Sequence, residues 1–531
     1  MSDTSKKQSF LHGTMLLAMA TAIVKVIGAL YKIPLNAIIG EQGFGYYSTA
    51  YEIYTVLLMI STAGLPVAMS RMISQASSLG NYRQVRKIYT VSRTIFLSLG
   101  LIGTLLMTLF CKQLAAFQEQ PDAWAAIGAL GPCCFLICLM STYRGFFQGQ
   151  SNMIPTSVSQ VLEAVCKLIV GIAAALLIKF YWHSIPLAAG GAIFGVTMSC
   201  LISSFYLNRC FRKAFKAMPV SDEPVDSGKD IAKGLLAIAI PITIGSAGLQ
   251  ILTVLETKIY MSQLLTFLTQ AEADTQKGIY NMTQTIFNMP CAFITPITIS
   301  IIPAITAQIT SGDAKAARDT EESAVRVTGL ISAPCAAGLA VLAEPVTALL
   351  GGYSGEKLAL STSLMTVLGV CIVFNALVLL TNAIMQAHGH VNLPVINMFI
   401  GGAVKLIAVF ILTGNENIGI LGTPIGSLLC YLCITVLNLG TIRKVLPEAP
   451  AVLRNMLRPI VAAILMGIVV FGSWYGITAL LGDVSRIIAC GAPIAVGVAV
   501  YVIAVIKLKA ITREDCLLLP KGEKIAKFLH L

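Results

Sequence analysis

Apolar and polar positions fall in long blocks rather than in short alternation. Runs of 18 or more apolar residues recur from Phe10 onward, parted by short polar breaks. A helix needs about 20 such residues to cross a bilayer. The blocks predict about 14 spans, at 10–39, 44–76, 88–111, 123–149, 154–178, 185–209, 231–265, 277–309, 321–350, 358–387, 392–413, 417–441, 455–481 and 485–508. The alternating ten-residue segments of a membrane barrel are absent. The expected fold class is an all-α polytopic membrane protein.

The blocks also repeat. Gly45-Tyr-Tyr matches Gly278-Ile-Tyr, and Gly80-Asn-Tyr-Arg matches Gly312-Asp-Ala-Lys. Further matches are Gln148 with Gln386, Lys167 with Lys405, Gly195 with Gly426, and Arg212-Lys213 with Arg443-Lys444, all at offsets of 231 to 238 residues. The repeat predicts two pseudo-symmetric six-helix lobes, 1–210 and 231–445, joined by a charged linker, 211–230. Two helices without a repeat partner follow at 446–510, then a tail, 511–531. An even number of spans per unit makes the repeats parallel, an arrangement found in transporters whose substrate site lies between lobes.

Composition fits this reading: 56% of the 531 residues are hydrophobic, only 12% are charged, and mean hydropathy is +0.81. The net charge of +12 would suggest nucleic acid in a soluble protein. Here the Lys and Arg residues cluster in alternate loops and in the tail, the positive-inside pattern, so topology accounts for them and nucleic acid is set aside. Both termini are expected inside. Lys112, Lys179, Lys277, Lys357 and Arg486 are nearly all the basic residues assigned to the opposite loops. The 14 cysteines are scattered, mostly in apolar segments, and read as small packing residues.

Charges inside spans carry the functional signal. Lys25 lies mid-span, Lys32 follows two helical turns later on the same face, and Glu52 lies within the second span. An ion at that depth costs several kcal/mol unless it meets a wet cavity or a partner, so these helices are expected to line a polar chamber. Pro34 and Pro66 are expected to kink them. Arg71 is either a gate residue or a positive-inside charge. In the seventh span Glu256 and Lys258 face different directions, and Glu256 is taken as the chamber residue. Arg144, Gln148 and Asn152 lie in a glycine-rich stretch that closes the fourth span. Its readings are a tight turn or hydrogen bonding across the lobe. Glu163 and Lys167, four apart, are expected to pair. Asn375, Asn382 and Gln386 form a stripe suited to interhelical hydrogen bonds.

No phosphate-binding loop, no nucleotide-binding domain and no large catalytic loop can be found in the sequence. Neither catalytic residues nor a metal site nor a cofactor is expected. Uphill transport would then draw on the substrate's own gradient or on Na+ or H+.

Several motifs carry a family resemblance: Phe10-Leu-x-Gly-Thr, Ile39-Gly-Glu-x-Gly-x-Gly-x-Tyr47, Gly64-Leu-Pro-Val-Ala68, Arg144-Gly-Phe-Phe-Gln-Gly-x-x-Asn-Met-x-Pro155, Ser159-Gln-Val-Leu-Glu163 and Leu255-Glu256. The chain resembles the multidrug/oligosaccharidyl-lipid/polysaccharide (MOP) exporter superfamily, and within it the stage V sporulation protein B and lipid II flippase-like branch. The resemblance implies a cavity between lobes, lined by spans 1, 2, 7 and 8, that opens to each side in turn. It implies basic residues on span 1 and an acid on span 2 serving that cavity, as Lys25, Lys32 and Glu52 would, with Lys where relatives often carry Arg. Arg71 resembles the basic residue that ends span 2, and spans 13 and 14 would form a lipid-tail groove.

The expected function is a flippase for a polyprenyl-pyrophosphate-linked sugar, such as a peptidoglycan or other envelope precursor. Its setting would be a bacterial cytoplasmic membrane, as a monomer, with lipids and cell-wall or sporulation proteins as partners. Open alternatives are an ion-coupled multidrug or cation antiporter, a membrane glycan-assembly enzyme, and a scaffold.

Overall fold

Backbone N–H and C=O groups cannot be left unpaired in hydrocarbon, so apolar blocks of this length fold as helices. A computed structural model describes residues 3–219, 223–446, 448–481, 485–512 and 515. Within these, the side chains of 3–19, 22, 25, 26, 296–300, 303, 304, 480 and 481 lie outside the description. No strand occurs among the described residues.

The chain divides into two compact units, Met1–Asn281 and Met282–Leu531. The first holds α1 (Asp3–Met59), α2 (Leu65–Ser78), α3 (Tyr82–Leu109), α4 (Cys111–Phe117), α5 (Trp124–Gly149), α6 (Ile154–Trp182), α7 (Ile185–Lys216) and α8 (Gly228–Leu264). Helix α9 (Gln270–Thr310) runs from the first unit into the second. The second continues with α10 (Ala314–Val341), α11 (Ala343–Leu350), α12 (Gly355–Ala387), α13 (Asn392–Thr413), α14 (Gly422–Val445), α15 (Val452–Leu481) and α16 (Arg486–Lys507).

Twelve stretches of the described residues are long and apolar enough to cross a membrane. The expected count of about 14 is approximate because the first two blocks join into one 52-residue stretch, Ile27–Ser78. The break between them is a change of direction rather than a loop. Gly40 takes φ 72°, ψ 178°, a conformation open to glycine, and helix resumes on either side. A π-helical turn, Ile60–Gly64, precedes Pro66 and bends the run again. Helix α9 covers the eighth block and is not among the twelve.

Small residues set how closely helices cross in the first unit. A Cβ on Gly149 would fall 2.8 Å from the Ile73 Cβ, and one on Gly145 would fall 3.4 Å from the Pro66 carbonyl oxygen. The glycines of the Arg144 stretch thus seat α5 against α2. Gly64 does the same for α8, since a Cβ there would lie 2.2 Å from the Ala239 carbonyl oxygen. Paired turns carry matching devices. Gly80 (φ 73°) precedes Asn81, which caps α3 through the Gln84 N–H, and Gly312 (φ 79°) precedes Asp313, which caps α10 through the Ala316 N–H. The linker residues Pro224 and Asp226 accept hydrogen bonds from Asn81 and Gln84, at 2.9 and 2.6 Å.

In the second unit Asn375 and Asn382 of the α12 stripe are spent on interhelical bonds, whereas Gln386 is exposed. Asn438 Nδ2 donates to Asn382 Oδ1 at 2.9 Å and to Thr381 at 2.8 Å, and Asn375 Nδ2 meets Cys291 Sγ at 3.3 Å. Helix α15 packs on α10 where Gly329 leaves room for Met456 and Pro459, and α16 lies against α15.

Candidate functional site

The bend at Gly40 sends the second half of α1 past the start of α9 at backbone contact. A Cβ on Gly278 would fall 1.8 Å from the Glu41 carbonyl oxygen, and one on Gly45 would fall 3.1 Å from the Asp274 carbonyl oxygen. The two glycines matched by the repeat therefore face one another, and the side chains around the crossing are polar.

Lys277 is fully buried there. Its Nζ donates to Thr49 Oγ1 and stands 3.7 Å from Glu52 Oε2. The Thr49 hydroxyl donates in turn to Gln120 Oε1. Asp274, one turn before Lys277, accepts from Gln120 Nε2 at 2.8 Å, Gln270 Nε2 at 3.0 Å and the Tyr46 hydroxyl at 3.0 Å. Two carboxylates and one ammonium in a desolvated setting are tolerable because each is hydrogen-bonded or paired. Helix α8 adds Tyr260, whose hydroxyl lies within electrostatic reach of both Glu52 and Glu256.

Where α6 packs on α1, Lys167 enters a nest of tyrosines. Its Nζ donates to the Tyr51 hydroxyl at 3.2 Å and stands 4.6 Å and 5.3 Å from the ring centres of Tyr51 and Tyr31. Tyr47 stacks on Tyr51, and Tyr54 meets Tyr51 edge-on. Lys32, half-buried, lies within electrostatic reach of Lys167 and Glu52. Glu52 thus has Lys277 as its ion-pair partner and Lys32 within electrostatic reach.

The backbone of Lys25 is helical, but its side chain lies outside the described residues. Arg71 is exposed on α2. Glu256 is buried, whereas Lys258 turns the other way to pair with Glu119. The expected pairing of Glu163 with Lys167 is replaced. Arg144 reaches over Ser159, at 3.1 Å, to Glu163 at 3.0 Å, and Lys167 turns to Tyr51. Arg144 competes well because its guanidinium bonds to both side chains at once. Asn152 accepts from the Ile154 N–H at 3.3 Å, and the Gln148 carbonyl accepts from the Ser151 N–H at 2.9 Å, both within the turn.

Lys277, Asp274 and Gln120 are the residues that sequence reasoning passed over. Lys277 sits at a block edge and reads as a loop charge. One signal could have found it: it immediately precedes Gly278, the glycine matched to Gly45 by the repeat.

An all-helical chain with charged side chains inside its apolar helices has the makings of a membrane transporter. The sequence profile of the family described as "Polysaccharide biosynthesis protein" matches residues 10–309, and the chain belongs to that family, within the MOP superfamily. It is 27% identical to stage V sporulation protein B of Bacillus subtilis (strain 168), over 83% of this chain and 85% of that protein. It is 24% identical to lipid II flippase MurJ of the same organism, over 75% and 76%. In fold it is similar to a solved structure of lipid II flippase MurJ in an inward closed conformation. The TM-score is 0.70 at 14% identity, over 92% of this chain and 98% of that one. The protein is a multi-pass membrane transporter.

Proposed function

We propose that the protein is a flippase that turns a polyprenyl-pyrophosphate-linked sugar across a bacterial cytoplasmic membrane, with both termini inside. The observation that carries the reading is a set of charges on apolar helices, with Lys277 paired to Glu52 at 3.7 Å and Lys32 within electrostatic reach of the same carboxylate. Lys25 shares a helix face with Lys32 two turns away, and together they offer charge to a pyrophosphate. Lysine supplies point charge without the planar fork of arginine, which suits a group that must be held and then released. The names of the relatives, a sporulation protein and a lipid II flippase, support a glycan precursor as cargo.

The lobes 1–210 and 231–445 would alternate access, with α15 and α16 guiding the lipid tail. Glu52 would hold the lysines in the empty state and yield them to substrate. Lys277 secures that carboxylate, so the handover is between Lys32 and pyrophosphate. The test is complementation of cells depleted of their own lipid-linked precursor transporters. Wild type should restore growth, and Lys25→Ala with Lys32→Ala should fail at an equal membrane level. Growth with the double variant would sink the assignment.

A further inference from the structure

A second charged feature lies wholly within the second unit. A cavity of about 300 Å³ opens between the ends of α10 and α15 and the chain that follows α16. Arg318, Glu322, Arg326, Arg454, Asn455 and Arg458 line it. Its floor is rigid. Half-buried Arg326 grips the fully buried Asp515 with Nε at 3.0 Å from both carboxylate oxygens, and Nη1 donates to Asn455 Oδ1 at 3.1 Å. Asp515 also accepts from the Ser323 hydroxyl and from the Thr512 N–H at 2.8 Å. Glu322 accepts from Arg318 Nε at 3.3 Å and from the Ala451 N–H at 3.2 Å.

Both carboxylates at the cavity are therefore engaged by Arg318 and Arg326. Arg454 and Arg458, four apart on one face of α15, pair with no carboxylate among the described residues. Arg458 donates one bond, to the Lys509 carbonyl at 3.0 Å. Among the described residues, four guanidinium groups against two carboxylates leave an excess of positive charge in a formed concavity, rather than scattered on a loop.

The same turns of α15 carry an exposed apolar stripe. Leu453 and Leu457 are about as exposed as Ile464 and Ile468 further along, at 62%, 60%, 55% and 65%. These residues belong to the candidate span Val452–Ala479, so the cavity lies where a span meets the headgroup layer. A guanidinium pair matches phosphate oxygens, and apolar chains attached to that phosphate would follow the stripe.

We infer that this cavity binds the phosphate of an anionic phospholipid from the leaflet on the side of the C-terminal tail. Basic pockets between spans at that depth bind such headgroups. Free phosphate shares the headgroup chemistry but has no use for the stripe.

The test uses the purified full chain, titrated with phosphatidylglycerol, with phosphatidylcholine of the same chain length, and with inorganic phosphate, bound lipid being counted by native mass spectrometry. Phosphatidylglycerol should bind more tightly than phosphatidylcholine. At about 1 kcal/mol for each basic residue near the surface, Arg454→Gln with Arg458→Gln should weaken it about 30-fold. Arg454→Lys with Arg458→Lys should keep most of the preference, since charge is retained. A control, Arg212→Gln with Lys213→Gln at the end of α7, should leave it unchanged. Both arginines of α15 are exposed, so the variants should elute as the wild type does on size exclusion. Equal loss in the control, or undiminished binding in the double Gln variant, overturns the site. Saturable binding of inorganic phosphate without preference between the two lipids overturns the lipid assignment.

Discussion

Lys277, with none of its side chain exposed, lies 3.7 Å from Glu52 where α9 crosses α1. Removing one member of a buried pair strands the other, at a cost of about 3–5 kcal/mol. Lys277→Met should therefore lower the thermal midpoint of the purified protein clearly. Lys277→Met with Glu52→Gln should recover much of the loss, because Glu52 is no longer a stranded charge and Asp274 keeps its three hydrogen-bond donors. A single Lys277→Met variant as stable as wild type would show that the pair contributes nothing.

The crossing itself depends on Gly278. Alanine there must push its Cβ away from the Glu41 carbonyl oxygen, which would otherwise sit 1.8 Å away. Overpacking of this kind costs about 1–3 kcal/mol, and it would also part Lys277 from Thr49 and Glu52. Gly278→Ala should lower both stability and transport, whereas Gly245→Ala, with open space around it, should change neither. Equal behaviour of the two variants would contradict the close crossing.

Orientation can be read by chemistry. Gly80, Asp226 and Asn415 are all exposed, so in a cysteine-depleted background the membrane alone decides whether a cysteine placed there reacts. With both termini inside, positions 80 and 226 should resist an impermeant thiol reagent added to intact cells, and position 415 should react. Labelling at position 80 would overturn the assigned topology.

The helical fold could be read directly from the apolar blocks, because hydrocarbon leaves the backbone no other way to pair. The expected gap between the first two spans proved to be one residue, Gly40, since a positive φ kinks the chain without a loop. The site was legible only in part. Glu52 and Lys32 stand out as charges inside apolar runs, whereas Lys277 lies at a block edge, where a lysine carries no such signal. Its burial is a product of the Gly45–Gly278 crossing, a contact between residues far apart in sequence. The Glu163–Lys167 pairing failed for a similar reason. Helical spacing names local candidates, and Arg144, arriving from another helix with two donors, took the carboxylate.

Glu52→Gln separates two roles for the acid. If it holds the lysines in the empty state, the variant should transport more slowly while any dependence on membrane potential or sodium stays as in wild type. If it takes a coupling cation, that dependence should vanish. Pairing is the role expected here, because Lys277 already pairs with the carboxylate and Lys32 lies within electrostatic reach of it. Wild-type rate with wild-type gradient dependence would dismiss both roles.

Flipping can be measured in proteoliposomes holding the purified chain and a fluorescent polyprenyl-pyrophosphate-linked sugar, with an impermeant quencher added outside. With wild-type protein the quencher should reach probe from both leaflets over time. Lys25→Ala, folded and inserted to the same level, should leave the inner-leaflet fraction protected, and Lys25→Arg should restore part of the movement because the charge is kept. Protection that persists with wild-type protein, or movement undiminished by Lys25→Ala, would contradict the proposed flippase mechanism.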